Sequence, residues 1–274
     1  MPHSYNRFFV CRAALSAVVF FSWIGLSRML SEMSGMSHEG ALFIGLHRVM
    51  LLPFMRQGTG LLFCVCLILF VLRQRHLLAG LTAYVILWGM QQTVVSQYVG
   101  HDPNRTTFIM PAAVLLTYLL ASILEGTDEP AERKVWEACC ATIGAVYTLS
   151  ALNKLNESGI GWINTYSLRV IVTEELTRSS GILYVIRSWL AQSPLVSYCG
   201  SAYTLTVELF GVTMLMSRFR PYYAAALLIM HSLIFIGMGI FSFFPWAIFV
   251  LVVSFSTSSD PFGERKRRLD HDRP

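Results

Sequence analysis

The chain has 274 residues, of which 54% are hydrophobic and only 14% are charged, and its mean hydropathy is +0.55. Soluble domains carry about 25% charged residues, so this composition excludes an ordinary soluble fold and predicts an integral membrane protein in a lipid bilayer. The formal net charge of +5 is concentrated in short loops and the C-terminal tail. Basic residues placed there favour contact with anionic lipid over binding to nucleic acid.

Apolar segments follow one another along nearly the whole chain, and a membrane-spanning helix needs roughly 20 such residues. The predicted spans cover residues 8–27, 58–72, 77–99, 107–124, 135–155, 195–216, 222–240 and 244–255. A signal peptide is the alternative for the first segment, but a small-residue cleavage site is missing. The predicted fold is all-α, a polytopic membrane bundle of about eight transmembrane helices with interfacial helices. We expect one domain over residues 1–274, with a basic cytoplasmic tail at residues 258–274.

Two further apolar stretches are too interrupted by polar residues to cross a bilayer. Residues 41–55 contain His47, Arg48 and Pro53, and residues 166–190 contain five charged side chains. We expect both stretches to form interfacial or re-entrant helices.

Positive charges in short loops predict the orientation of the protein. The basic segments are residues 73–76, residues 218–221 and the tail, and Arg7 lies before the first span. With eight spans all of them fall on one side, which predicts a multi-pass protein with both termini in the cytoplasm. The opposite face then collects residues 28–57, 100–106 and 156–194, and any chemistry is expected there.

Ionisable residues at membrane depth are costly, so they normally face the bundle and have partners. Glu208 and His231 stand at nearly equal spacing before and after Phe219, which joins the sixth and seventh spans. Equal spacing predicts similar depth in an antiparallel hairpin. Arg12 enters the first span from the same side. We therefore expect a structural polar cluster in which Glu208 pairs with His231, with Arg12, or with both.

Lys154 lies at the far end of the fifth span and has two interpretations. It is either a snorkelling lysine paired with Glu157 at i+3, or a desolvated amine that serves as a base. Asn153 and the turn ending at Trp162 are candidates to orient a polar substrate group. Gln92, on the polar third helix, is a third candidate for substrate binding or for interhelical hydrogen bonds.

The cysteines show no metal-type spacing with histidines, so no metal site is expected. Nearly all of them fall within or beside apolar segments, which predicts small buried residues. They are Cys11, Cys64, Cys66, Cys139, Cys140 and Cys199.

Motifs in order along the chain resemble the horizontally transferred transmembrane (HTTM) domain, the membrane region of vitamin K-dependent γ-glutamyl carboxylase and its bacterial relatives. Residues 145–155 (AVYTLSALNKL) are followed by Gly161 and Trp162, then by a span with Glu208, then by a span with His231 that continues to a Gly/Phe-rich stretch. The similar region covers roughly residues 80–256. The carboxylase continues into a large extramembrane domain, whereas this chain has about 18 residues after its last predicted span.

The resemblance implies that Lys154 is a catalytic base acting on a reduced quinone of the vitamin K hydroquinone type. Oxygen and carbon dioxide are then co-substrates, and the products are a quinone epoxide and a carboxylated glutamate. The resemblance also implies a second catalytic residue, a histidine before the lysine helix, for which His101 is the nearest candidate.

Two functions therefore stay open. The first is a small carboxylase-like enzyme, a lyase or epoxidase that uses a membrane quinol and modifies or matures a peptide at the outer face. The second is a non-enzymatic membrane partner in assembly, immunity or toxin maturation. A transporter is disfavoured because matching Gly/Pro-broken helices are missing from the two halves.

Overall fold

The computed structural model describes residues 4–33, 53–73, 75–97, 105–126, 129–177, 179–239 and 243–258. Every regular element within these residues is a helix, so the predicted all-α class is confirmed for them. The α-helices are α1 (Ser4–Met33), α2 (Pro53–Val71), α3 (His76–Gln97), α4 (Arg105–Glu125), α5 (Glu129–Ser158), α6 (Ser167–Leu176), α7 (Gly181–Gln192), α8 (Pro194–Leu209), α9 (Arg220–Met238) and α10 (Phe243–Thr257). Two 3₁₀-helices, Gly159–Trp162 and Phe210–Leu215, follow α5 and α8.

The helix ends carry ordinary local signals. Ser193 caps α8 by accepting a hydrogen bond from the Val196 N–H, and Pro194 occupies the first turn of that helix, where its missing N–H costs nothing. Gly239 ends α9 in the left-handed conformation at φ 70°, which a residue without Cβ adopts freely. Local sequence signals therefore mark where α8 begins and where α9 ends.

Among the residues that the structure describes, three helical segments are long and apolar enough to cross a membrane: Phe8–Arg28, Pro130–Trp162 and Arg220–Met238. Shorter apolar helices cover Gln57–Val71, Ile109–Glu125 and Phe243–Thr257. The α8 helix has 16 residues and α10 has 15, so neither alone reaches the roughly 30 Å of a hydrocarbon core at about 1.5 Å per residue. The membrane character of the chain is supported, and the count of eight spans stays a prediction.

The chain divides into two compact units, and the first comprises residues 1–142 and 240–249. In it α1 packs against α2, α3 and α4, while α3 also packs against its two chain neighbours. A run of rings forms part of the core, from Phe70 to Tyr118, Trp136 and Phe249, with successive centroids 5.1, 5.0 and 6.5 Å apart. Buried aromatic pairs of this kind contribute about 0.5–1.5 kcal/mol beyond their burial.

The second unit comprises residues 143–239 and 250–274. In it α6, α7, α8 and α9 all pack against one another. The sixth predicted span, residues 195–216, is α-helical only to Leu209 and continues as the 3₁₀-helix Phe210–Leu215. That change of helix type was not predicted. The prediction of one domain over the whole chain stays a prediction, and the tail beyond Ser258 lies outside the described residues.

The predicted interfacial stretch at residues 166–190 consists of two short helices, α6 and α7. Arg187 of α7 is buried and donates to the Ile236 carbonyl at 2.8 Å and to the Ser179 hydroxyl at 2.6 Å. The charge that interrupts this apolar stretch thus fixes α7 to the end of α9. The other predicted interfacial stretch covers residues 41–55. Residues 41–52 lie outside the described residues, and α2 begins at Pro53.

Candidate functional site

Lys154 projects from the last turns of α5 on the same face as Tyr147 and Ser150, at the helical spacing i, i+3, i+7. Its Nζ lies 2.6 Å from both carboxylate oxygens of Glu208, which is on α8. The Glu208 side chain is 8% exposed and that of Lys154 is 24% exposed. The amine is therefore held by a nearly buried carboxylate while part of the lysine side chain stays accessible.

The second contact of the amine is the Trp162 ring, whose centroid lies 4.7 Å from Nζ. Trp162 closes the 3₁₀-helix that begins at Gly159, where a φ of 57° lets the chain turn directly after α5. The Asn164 side chain fixes that turn by donating to the Gly161 and Trp162 carbonyls. A cation over an indole face is favourable by about 0.5–2 kcal/mol, depending on desolvation.

His231 on α9 adjoins the same cluster through Tyr147. Its Nε2 lies 2.7 Å from the Tyr147 hydroxyl, and both side chains are buried. The Tyr223 ring lies 6.4 Å from that of Tyr147. Lys154 interacts electrostatically with His231, and Glu208 with Tyr223. The cluster of Tyr147, Lys154, Glu208, Tyr223 and His231, which we call the lysine cluster, joins three helices of the second unit.

The predicted partner of Glu208 was wrong. Glu208 binds Lys154 rather than His231 or Arg12. The prediction counted residues from the turn at Phe219, which estimates depth but not the face on which a side chain lies. It also assumed one continuous α-helix where a 3₁₀-helix begins at Phe210. In addition, it did not consider α5 as the helix that supplies the partner of Glu208.

Lys154 is not paired with Glu157 either. The Glu157 carboxylate accepts a hydrogen bond at 2.8 Å from the Asn153 side chain, which is exposed. Asn153 thus contacts Glu157 rather than the lysine cluster, and its role in substrate binding stays a prediction. The Lys154 amine lies instead against Glu208 on α8.

Two other predicted site residues have side chains that the structure does not describe. The predicted catalytic His101 lies outside the described residues, and Gln92 lies on α3 with its side chain outside the description. Their assigned roles stay predictions.

Arg12 belongs to a different cluster, in the first unit. Its guanidinium pairs with Glu132 at the start of α5 and donates to the Val71 carbonyl at 3.2 Å. Arg73 approaches the other oxygen of Glu132 to 3.4 Å. Glu132 is buried and was missed because it lies in the polar segment between the predicted spans 107–124 and 135–155. Its i+4 and i+7 spacing to the buried Trp136 and Cys139 was the signal that places it on the core face.

The basic turn at residues 218–221 contains one arginine that is not exposed. Arg220 is 4% exposed and donates to the Met214 carbonyl at 2.7 Å and to the Thr257 carbonyl at 3.2 Å. It therefore satisfies carbonyls at the ends of the second 3₁₀-helix and of α10. The prediction used Arg220 as one of the basic residues that mark the cytoplasmic side, and that orientation stays a prediction.

The cysteines are unbridged, and Cys11, Cys66, Cys139 and Cys140 are buried as predicted. Cys64 is half-buried, and Cys199 is exposed, which was not predicted. Within the described ranges no three His, Cys, Asp or Glu side chains converge on one point.

No family model, no curated protein and no solved structure matches the chain. The resemblance to the HTTM domain therefore stays a prediction carried by the motifs of the sequence.

Proposed function

We propose that this chain is a small carboxylase-like membrane enzyme in which Lys154 deprotonates a reduced quinone at the extracytoplasmic face, in the service of modifying or maturing a peptide. The observation that carries the proposal is the position of the Lys154 amine between the Glu208 carboxylate at 2.6 Å and the Trp162 ring at 4.7 Å. The proposal includes about eight membrane spans with both termini in the cytoplasm.

Two clusters of buried charged side chains, one in each unit, support that topology. In the first unit, Arg12, Arg73 and Glu132 bring together the start of α1, the turn after α2 and the start of α5. In the second unit, Arg220 joins the end of the 3₁₀-helix Phe210–Leu215, the start of α9 and the end of α10. Eight spans assign all these segments to the cytoplasmic side, so each cluster agrees with the proposed arrangement.

The surroundings of Lys154 fit a flat aromatic substrate with a polar hydroxyl. The Trp162 ring offers a planar apolar face beside the amine, and the lysine is 24% exposed, so a hydroxyl can approach Nζ. When bound, a reduced quinone supplies an acidic hydroxyl, which loses its proton before the reaction with oxygen. Lys154 takes that proton, Trp162 orients the ring by stacking, and carbon dioxide enters at the later step implied by the resemblance.

The test is formation of quinone epoxide by the purified protein in lipid nanodiscs, supplied with vitamin K hydroquinone and oxygen. The decisive variant is K154R, because arginine retains the positive charge beside Glu208 but is not deprotonated in proteins. We expect epoxide from the wild type and none from K154R. The matched control is K134M, which removes a lysine whose side chain is 64% exposed and should leave the rate unchanged. Full activity in K154R would refute the proposal.

One observation favours the alternative, a non-enzymatic partner in membrane assembly, immunity or toxin maturation. The contacts of the Lys154 amine with both Glu208 oxygens link α5 to α8, which suffices for a structural role. The exchange variant K154E/E208K separates the two functions, because it keeps an ion pair between these helices but moves the amine to α8. A structural role predicts retained function, whereas a base at residue 154 predicts its loss.

A further inference from the structure

We propose that Glu208 is the proton acceptor of Lys154, so that the two side chains together hold one transferable proton and present a neutral amine to the substrate. This inference rests on the proposed function, in which Lys154 acts as a base. An ammonium group cannot accept a proton, so the ion pair observed between Lys154 and Glu208 would otherwise prevent the reaction.

The hydrogen bonds between Nζ and Glu208 provide a direct path for this proton. Nζ lies 2.6 Å from each Glu208 oxygen, a distance typical of a short, charge-assisted hydrogen bond. Transfer within such a bond needs no rearrangement of either helix. Nζ contacts both oxygens of Glu208. One oxygen can therefore carry the proton while the other still accepts a hydrogen bond from the amine.

The buried surroundings lower the free-energy cost of converting the ion pair to its uncharged form. Glu208 is 8% exposed, and desolvation of two opposite charges offsets much of their attraction. The groups that face the pair are the hydroxyl of Ser150 beside Glu208, the phenol of Tyr223 and the imidazole of His231. Tyr147 binds His231, and Glu157 is engaged by Asn153. Among the described residues, Glu208 is therefore the carboxylate in contact with Lys154.

The proton balance is complete without a further reactant. Nζ gives one proton to an oxygen of Glu208, which leaves a neutral amine and a neutral carboxylic acid. The amine then takes the hydroxyl proton of the substrate, and the resulting ammonium group pairs with the substrate oxyanion. After the product leaves, Glu208 releases its proton to water and the original ion pair forms again. No electron moves in these steps.

The first test is the pH dependence of the epoxidation rate. Internal transfer releases no proton to water, so the wild-type rate should be flat across neutral pH. In E208Q the amine must lose its proton to water, so the rate should rise about tenfold per pH unit until the amine is neutral. E208D should keep the flat profile at a reduced rate. The control E157Q, which changes an exposed carboxylate near Lys154, should behave like the wild type.

A purely structural Glu208 would lower the amount of folded E208Q protein without changing the slope of its pH profile. A flat E208Q profile therefore overturns the inference, whatever the rate.

The second test does not depend on turnover. We expect vitamin K hydroquinone, added without oxygen, to produce the infrared carbonyl band of a protonated carboxylic acid, and E208Q to lack that band. Epoxide formation without the band overturns the role of Glu208 and leaves the proposed function standing. The band without epoxide supports the shared proton and overturns the proposed function. The two proposals thus fail separately.

Discussion

Gly144 and Gly211 touch backbone to backbone, because a Cβ built on Gly144 would lie 2.5 Å from the Gly211 carbonyl oxygen and one on Gly211 would lie 2.6 Å from that of Gly144. This contact sets α5 against the 3₁₀-helix Phe210–Leu215. Small residues permit such close approach between helices in membranes. Glu208 lies one turn before Gly211, so the same approach brings its carboxylate within reach of Lys154.

We expect G144A and G211A to destabilise the protein by about 1–3 kcal/mol each, the usual cost of overpacking a close contact. The nearest atom to each added Cβ is a backbone carbonyl oxygen, which cannot rotate aside as a flexible side chain would. The measurement is the unfolding midpoint in mixed detergent. The matched control is G58A in α2, where an added Cβ meets nothing within 4 Å and better helix propensity should be neutral or slightly stabilising. Equal midpoints for G144A and G58A would contradict the close contact.

The buried pair of Arg12 and Glu132 predicts strong coupling in a double-mutant cycle. E132L removes the carboxylate that pairs with the buried Arg12, so we expect it to cost about 3–5 kcal/mol. R12L should cost less, because Arg73 still lies 3.4 Å from the Glu132 carboxylate. The double variant R12L/E132L should cost less than the sum, because it leaves no orphaned partner in that pair. Measured unfolding free energies of the three variants give the coupling.

The control for that cycle is the exposed pair of Arg133 and Glu137, at i,i+4 on the same helix. Exposed pairs contribute roughly 0.5 kcal/mol, so R133A and E137A should be nearly additive. Additive effects for R12L and E132L as well would show that Arg12 and Glu132 do not depend on each other.

Apolar runs and turn residues in the sequence were enough to predict where helices lie, because these signals are local. The end of α9 at Gly239 and the start of α8 at Pro194 are examples. The partner of Lys154 was not predictable in this way. It depends on which face of α8 meets α5, and that is set by the contact of Gly144 with Gly211, far apart in the chain.

The same limit explains the missed cluster in the first unit. Glu132 looked like part of a polar loop because Glu129 and Arg133 flank it closely, yet its own position lies on the buried face of α5. The helical periodicity of residues 131–139 places Glu132 on the same face as the buried Trp136 and Cys139. Its partners Arg12 and Arg73 come from α1 and from the turn after α2, and local patterns do not identify them.

The proposed topology makes a prediction for reporter fusions. We expect a green fluorescent protein fused after residue 75 or after residue 258 to fluoresce, since both sites are proposed to be cytoplasmic. Alkaline phosphatase inserted at residue 165 should be active, because residues 156–194 are proposed to lie outside. Active phosphatase at residue 75, or an inactive enzyme at residue 165 in a stable fusion, would overturn the orientation.

The last prediction concerns K154M, which keeps the length of the side chain and its apolar stem but removes the amine. The sequence alone predicts normal folding for this variant. The ion pair changes that expectation, because methionine leaves the Glu208 carboxylate, 8% exposed, without its cation. We expect K154M to lose about 3–5 kcal/mol of stability, and the double variant K154M/E208Q to recover most of it, since a neutral amide costs far less to bury than a carboxylate.

Activity and stability can then be separated with these two variants. Neither K154M nor K154M/E208Q has an amine at residue 154, so neither should form quinone epoxide, whereas the wild type and K134M should. The double variant decides the matter, because its restored unfolding midpoint removes misfolding as the cause of lost activity. A stable K154M/E208Q protein with the full rate of epoxidation would exclude Lys154 from the chemistry and leave the Lys154–Glu208 pair with the structural role of joining α5 to α8.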